Sequence, residues 1–125
     1  MSNDQSTTTT SPQGLEEKNP PSGIQAGPPT QIIFGGLANP QRVKKGENFS
    51  MNIGALLVDK NGTSIPGMTP VWRTTTPGAT ISSIGALNGQ FRLNNVQTNT
   101  ELRFSLTTVQ YPNISKSHAL SLVVV

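Results

Sequence analysis

The chain has 125 residues, of which 33% are hydrophobic and 12% charged, and its formal net charge is +3 at pH 7. That length accommodates a single domain. The scarcity of charged residues excludes a coiled coil, and the lack of cysteine excludes a disulfide framework, a cysteine zinc site and a cysteine nucleophile. With one His and six acidic residues, we expect no enzyme activity, no metal site and no cofactor.

The chain contains no long apolar run and no recognisable leader. Because a membrane helix needs about 18 or more consecutive apolar residues, we expect no membrane span and no membrane partner. Residues 1–14 have neither the basic nor the apolar region of a signal peptide, so we expect none here.

Composition divides the chain near residue 29. Residues 1–29 are rich in Ser, Thr, Gln and Pro, and their sizeable apolar side chains after Met1 are Leu15 and Ile24. Such a segment cannot bury enough surface to offset its ordering entropy, so we predict an extended or disordered arm. It carries three acidic residues and one Lys, a net charge of −2, whereas residues 30–125 carry eight basic and three acidic residues, a net charge of +5. Two interpretations stay open: a passive tail, or an arm that orders against a partner.

The remaining residues, 30–125, show the period-two alternation of β-strands. Phe49, Met51, Ile53, Ala55 and Leu57 fall on one face of the longest such run. Turn dipeptides such as Asn-Gly and Pro-Gly separate short runs at the spacing of a sandwich or barrel. The predicted strands are 30–35, 41–44, 48–58, 69–75, 79–83, 89–94, 100–108 and 115–125, and the first two are treated as one interrupted edge strand. We therefore predict an all-β, immunoglobulin-like sandwich of about seven strands.

The order of these segments resembles the bacterial immunoglobulin-like (Big) domains. The resemblance covers residues 41–125 and is a diffuse pattern. It consists of a Lys45-Gly46-Glu47 turn before a long strand, a strand carrying Trp72, an Ala79–Ser82 segment, and a final strand ending in consecutive valines. It implies a sandwich with Trp72 between two sheets. The expected core residues are Trp72, Phe49, Phe91, Phe104, Leu106 and Leu122.

Only a few of the polar residues in the sequence are candidates for a functional site. Arg73, Arg92 and Arg103 each flank an inward apolar residue and could share one sheet face as a basic patch. Aromatic residues make up only 5% of the chain, so nucleic acid is not an expected partner. His118 has no second His or carboxylate near it in the sequence, and Tyr111 lies in a predicted turn, where it could be an exposed contact residue.

We expect a virion structural protein, specifically a bacteriophage capsid decoration protein, located in the virion after synthesis in the host cytoplasm. Its arm would bind a capsid or other virion protein through Leu15 and Ile24. Val123 and Val125, on the outer face of the last strand, would form a homo-oligomeric or capsid contact. The alternative is a secreted or surface-displayed bacterial Ig-like module that binds carbohydrate or mediates adhesion.

Overall fold

The computed structural model describes residues 26–125, and this part of the chain is all-β: it contains nine strands and no helix. In chain order the strands are β1 (Pro29–Phe34), β2 (Gln41–Val43), β3 (Phe49–Ile53), β4 (Ala55–Asp59), β5 (Pro70–Thr74), β6 (Thr80–Gly85), β7 (Asn88–Leu93), β8 (Thr100–Thr108) and β9 (Ser115–Val124). The predicted all-β sandwich is confirmed. Each predicted segment coincides with a strand, except that the segment 48–58 is two strands separated at Gly54. The treatment of the first two segments as one interrupted edge strand is wrong, because β1 pairs with β4 and β2 with β9, in different sheets.

One sheet has four strands in the order β2-β9-β8-β5, with β2 parallel to β9 and the other pairs antiparallel. The second layer contains β3-β7-β6 and the pair β1-β4. The Gly54 carbonyl accepts a hydrogen bond from the Gly35 N–H at 2.8 Å, and the next N–H, that of Ala55, donates to the Asn88 side chain at 3.3 Å. This carbonyl and this N–H belong to one peptide group, in which they point in opposite directions, so β1 and β7 flank the β3–β4 strand on opposite edges.

The second layer therefore has the order β1, β3–β4, β7, β6. Apart from the three-residue β2, the two layers have the four-plus-three strand order of a constant-type immunoglobulin sandwich. The chain crosses between the layers after β1, so that β1 belongs to one sheet and β2 to the other. In this order β5 is an edge strand and β8 is paired on both sides.

The core lies between the layers and follows the alternation seen in the sequence. Two clusters of buried side chains fill it, and each draws on both layers. The buried apolar residues on the strands are Ile32, Val43, Phe49, Met51, Ile53, Ala55, Leu57, Val58, Phe91, Leu93, Leu102, Phe104, Leu106, Leu120 and Leu122. Each large side chain buried in this way stabilises the fold by about 1.5–3 kcal/mol before entropy is subtracted.

Trp72, on β5, joins the two clusters. It is partly buried and packs against members of both. Its ring stacks on Phe34 from the other layer at a centroid distance of 5.8 Å and lies 6.1 Å from the ring of Phe104. The indole Nε1 is buried and has no hydrogen-bond partner within residues 26–125. Trp72 thus connects the sheets as expected, but it is not fully enclosed because β5 is at the edge of its sheet.

The indole lies directly against the backbone of Gly89 on β7. A Cβ atom at this position would lie 2.6 Å from Cε2 of Trp72 and 2.8 Å from its Nε1. Real Cβ atoms do not approach other atoms so closely, and the indole ring is also held by its stacking on Phe34. Glycine at position 89 is therefore required for the two layers to approach at this point.

We predict that Gly89→Ala destabilises the domain by about 1–3 kcal/mol, because the added methyl group overpacks the core. Trp72→Leu removes the ring atoms that meet this methyl group, so the double variant should lose less stability than the sum of the two single variants. Chemical denaturation of all three variants measures this coupling. Gly54→Ala is the matched control: its methyl group would meet nothing nearer than 3.9 Å. Additive effects of the two substitutions would contradict the assigned contact.

Candidate functional site

A groove lies on the outer face of the four-stranded sheet. It is formed by β5, β8 and β9 and by Thr75, the residue directly after β5, and its volume is about 370 Å³. The residues that line it are Arg73, Thr75, Arg103, Phe104, Ser105, Ser117, His118 and Ala119. Two of them are arginines and three are hydroxyl-bearing, so we call this surface the arginine groove.

The strand register explains how the two arginines come together. Arg73 pairs with Ser105, which in turn pairs with Ser117, and these side chains form one row across the sheet. Arg103 lies two residues before Ser105 on β8 and pairs with Ala119 in the next row. Diagonal neighbours of this kind are about 7–8 Å apart, within reach of long side chains. The floor between the arginines consists of small side chains, which is why the surface is concave.

The guanidinium of Arg103 is held by Glu101, two residues earlier on the same strand. Its Nε donates to Glu101 Oε1 at 3.0 Å, and its Nη2 lies 2.8 Å from the same oxygen. Both side chains remain more than half exposed, so this ion pair adds little stability but does restrict the rotamer of Arg103. Within residues 26–125, no acidic side chain forms an ion pair with Arg73.

Arg92 does not belong to the groove. It lies on β7, in the other layer, paired with Ser50 and Thr80. Its Nε donates to Gln90 Oε1 at 2.9 Å, and the Gln90 amide donates to Asn52 at 3.2 Å. The idea of a patch formed by all three arginines is therefore wrong: the register places Arg73 and Arg103 on one face of the sandwich and Arg92 on the opposite face.

A second feature fixes the start of the sandwich. The carboxylate of Asp59, at the end of β4, accepts three backbone hydrogen bonds: from Gly27 at 2.7 Å, from Asn61 at 2.8 Å and from Thr63 at 2.9 Å. We call this arrangement the Asp59 clasp. Gly62, at φ +82°, allows the tight turn that brings Asn61 and Thr63 back to the carboxylate. The Gly27 N–H is the largest cause of a lowered pKa for Asp59, followed by that of Thr63, and these bonds outweigh the effect of burial.

The clasp shows that contacts with the sandwich begin inside the segment 1–29, and the division of the chain at residue 29 stays a prediction. Gly27 already binds the sandwich, and β1 begins at Pro29 rather than at residue 30. Leu15 and Ile24, the predicted anchors of the arm, lie outside the described residues.

Three segments meet at the end of the sandwich where the clasp lies. They are the start of β1, the 60–69 connection and the 109–114 hairpin. The Val109 N–H donates to the Thr69 carbonyl at 3.0 Å, and Gln110 binds the N–H and hydroxyl of Thr69. Val109 is 61% exposed and Tyr111 is 38% exposed, so this end presents two apolar side chains to solvent.

The last strand runs toward the other end. Val123 is partly buried and pairs with Arg42 of β2. Val125 is 65% exposed, and its N–H donates to the Val43 carbonyl at 2.9 Å. β2 thus covers the edge of β9 but leaves Val125 open, and the proposed contact through Val123 and Val125 stays a prediction.

The other singled-out residues serve packing. His118 packs edge-on against Phe34 and close to Phe104, at centroid distances of 6.1 and 5.8 Å. The expected core residues Phe49, Phe91, Phe104, Leu106 and Leu122 are all buried.

Within the described residues, no group of three or more His, Asp or Glu side chains could hold a metal ion. None of the described segments forms a helix long and apolar enough to cross a membrane.

Comparison of the chain with protein-family models, with curated proteins and with solved structures gives no match. The sites described above therefore rest on the geometry of this chain alone.

The Asp59 clasp gives a pH prediction. Because the pKa of Asp59 in the folded state lies below its unfolded value of 3.8, the stabilisation by its carboxylate is fully present above that value. It is lost as pH falls through the lower folded-state pKa. The melting temperature of the wild type should exceed that of Asp59→Asn by a constant amount above about pH 5, and this difference should shrink below pH 3.8.

Calorimetric melting of both proteins from pH 7 to pH 2 tests this. Lys60→Gln is the control, because it removes the adjacent charge but leaves the three N–H donors in place. It should retain most of the pH dependence. A difference between wild type and Asp59→Asn that does not change with pH would show that the carboxylate charge has no role in the clasp.

Proposed function

We propose that this protein is a non-enzymatic virion structural protein, a bacteriophage capsid decoration protein. In this proposal residues 1–25 attach to a capsid or another virion protein, and the Ig-like sandwich is displayed on the particle. The resemblance to Big domains agrees with such a role, since Ig-like sandwiches serve as display modules of many kinds.

The observation that carries the proposal is that the described residues, 26–125, supply two sheets and two core clusters. Among the described residues, the buried members of the core clusters lie between Ile32 and Leu122, and the Asp59 clasp binds the chain at Gly27, just after residues 1–25. A segment with few apolar side chains cannot form a core of its own, and in this proposal it binds elsewhere. Its net charge of −2 also differs in sign from that of the sandwich, so the two parts suit different surfaces.

The polar interior supports a structural role. Three polar side chains are buried in the described part of the chain: Asp59, Thr76 and Thr108. The Asp59 carboxylate accepts from backbone N–H groups. The Thr76 hydroxyl donates to the Glu101 carbonyl and accepts from the Arg103 N–H. The Thr108 hydroxyl accepts from the backbone N–H of Tyr111. All three side chains are hydrogen-bonded to backbone groups, which agrees with a structural role.

The position of two exposed apolar side chains favours an orientation of the sandwich on the particle. Val109 and Tyr111 lie at the same end of the sandwich as the start of β1. A particle surface bound by the arm would face this end, and the two side chains would add apolar contact area there. In this proposal the homo-oligomeric contact through Val123 and Val125 would lie away from the particle.

A second candidate function is a surface-displayed or secreted module that binds carbohydrate. The arginine groove favours it, because charged and hydroxyl side chains converge there on a concave surface.

We predict that a protein lacking residues 1–25 melts within a few degrees of the full chain but no longer binds virions. The deletion leaves Gly27 and β1 in place, so it removes none of the described contacts. The double substitution Leu15→Ser and Ile24→Ser should also weaken binding to virions. Cosedimentation with particles stripped of this protein measures the bound copies, and mass spectrometry of purified virions tests whether the protein is present at all.

Tyr111→Ser serves as the comparison variant, since it alters the proposed facing end and leaves the sequence of the arm unchanged. It should reduce binding less than the deletion does. If the truncated protein binds particles as well as the full chain, attachment lies on the sandwich. If purified virions contain none of this protein, the carbohydrate-binding module becomes the better account.

A further inference from the structure

We propose that the arginine groove is a binding site for an acidic saccharide, with Arg73 and Arg103 holding its carboxylate. This inference goes beyond the proposed function: it concerns the side of the sandwich, and it holds whether or not the arm binds a capsid.

The arrangement of the two arginines points to an anion. Arg73 and Arg103 are diagonal neighbours on adjacent strands, so two positive charges face the same concave surface. Like charges at this spacing repel each other, and an anion between them removes the repulsion. The Glu101 carboxylate pairs with Arg103 but does not line the groove, and Arg73 has no ion-pair partner among the described residues.

The Glu101 contact prepares Arg103 for a ligand and does not saturate it. An arginine carries five N–H donors in a planar fork. Two of these donors go to one oxygen of Glu101, which leaves the Nη1 donors and one Nη2 donor unassigned and restricts the plane in which they lie. A guanidinium positioned in this way loses less conformational entropy when it binds a carboxylate.

The floor of the groove favours a saccharide over a peptide. β8 is paired with β5 on one edge and with β9 on the other, so its backbone groups are already used in the sheet. A peptide laid across the groove would gain no strand-pairing hydrogen bonds. The hydroxyls of Thr75, Ser105 and Ser117 can instead donate to and accept from sugar hydroxyls. The volume of about 370 Å³ lies near the lower end of the range for small-ligand sites, about 300–1,000 Å³.

Titration of the ¹⁵N-labelled full chain, followed by NMR, tests the proposal. The probe is a hyaluronan tetrasaccharide, whose glucuronate residues carry carboxylates, and the neutral comparison is tetra-N-acetylchitotetraose. We expect saturable shifts at groove residues with the acidic probe, with a dissociation constant on the order of 0.1–1 mM. The neutral sugar should bind at least tenfold more weakly, and added NaCl should weaken binding of the acidic one.

Arg73→Gln and Arg103→Gln should each raise the dissociation constant about tenfold, as expected for the loss of a charge-assisted hydrogen bond. Arg92→Gln is the matched control: it removes one exposed arginine with a Gln neighbour from the opposite face, so it should leave the affinity unchanged. All three residues are exposed, so melting temperatures close to that of the wild type are expected and will verify folding.

Three outcomes would overturn the proposal. These are equal affinity for the neutral and acidic saccharides, an Arg73→Gln affinity equal to that of wild type, and tighter binding of tetraglutamate than of the saccharide. The last result would assign the groove to acidic peptides instead. The failure of this site is distinguishable from the failure of the proposed function, because Arg73→Gln and Arg103→Gln should bind virions as the wild type does.

Discussion

The contact between the Trp72 indole and the backbone of Gly89 sets how closely the two sheets can approach. Trp72 comes from the edge strand β5 and Gly89 from β7, so the contact joins the layers directly. Phe34 and Phe104 then pack around the same ring and connect the two clusters of the core. In sandwiches without a disulfide between the sheets, apolar packing of this kind must hold the layers together. Any change in ring size at position 72 or in side-chain volume at position 89 therefore alters packing in both layers of the core.

Alternation in the sequence was sufficient to predict the strands and most of the core. Phe49, Met51 and Ile53 are buried because a strand with one covered face must place every second side chain inward. The same reasoning could not find the break at Gly54, since the alternation continues through it without a change of phase. It also overstated the burial of Trp72, because the position of β5 at a sheet edge depends on pairing between strands that are distant in sequence.

The arginine groove shows why a site on a sheet face is harder to predict than its strands. The sequence indicated that Arg73, Arg92 and Arg103 point outward, and all three are exposed. Which of them share a face depends on which strands enter which layer, and that is information local alternation does not contain. The Asp59 clasp is an intermediate case. The Asp-x-Asn-Gly turn is visible in the sequence, but the bond from Gly27 spans 32 positions and depends on β1 pairing with β4.

The opposite placement of the start of β1 and of Val125 has a mechanical consequence. A pull on the chain before Gly27 and at Val125 would draw β1 along β4 and β2 along β9. The hydrogen bonds of both pairs run across the direction of this load, so several of them must break at the same time rather than one after another. The Asp59 clasp carries the load at one end, where Gly27 joins β1 to β4 through a side chain. Tension along this axis therefore acts on the sandwich in shear, the direction in which paired strands resist separation most strongly.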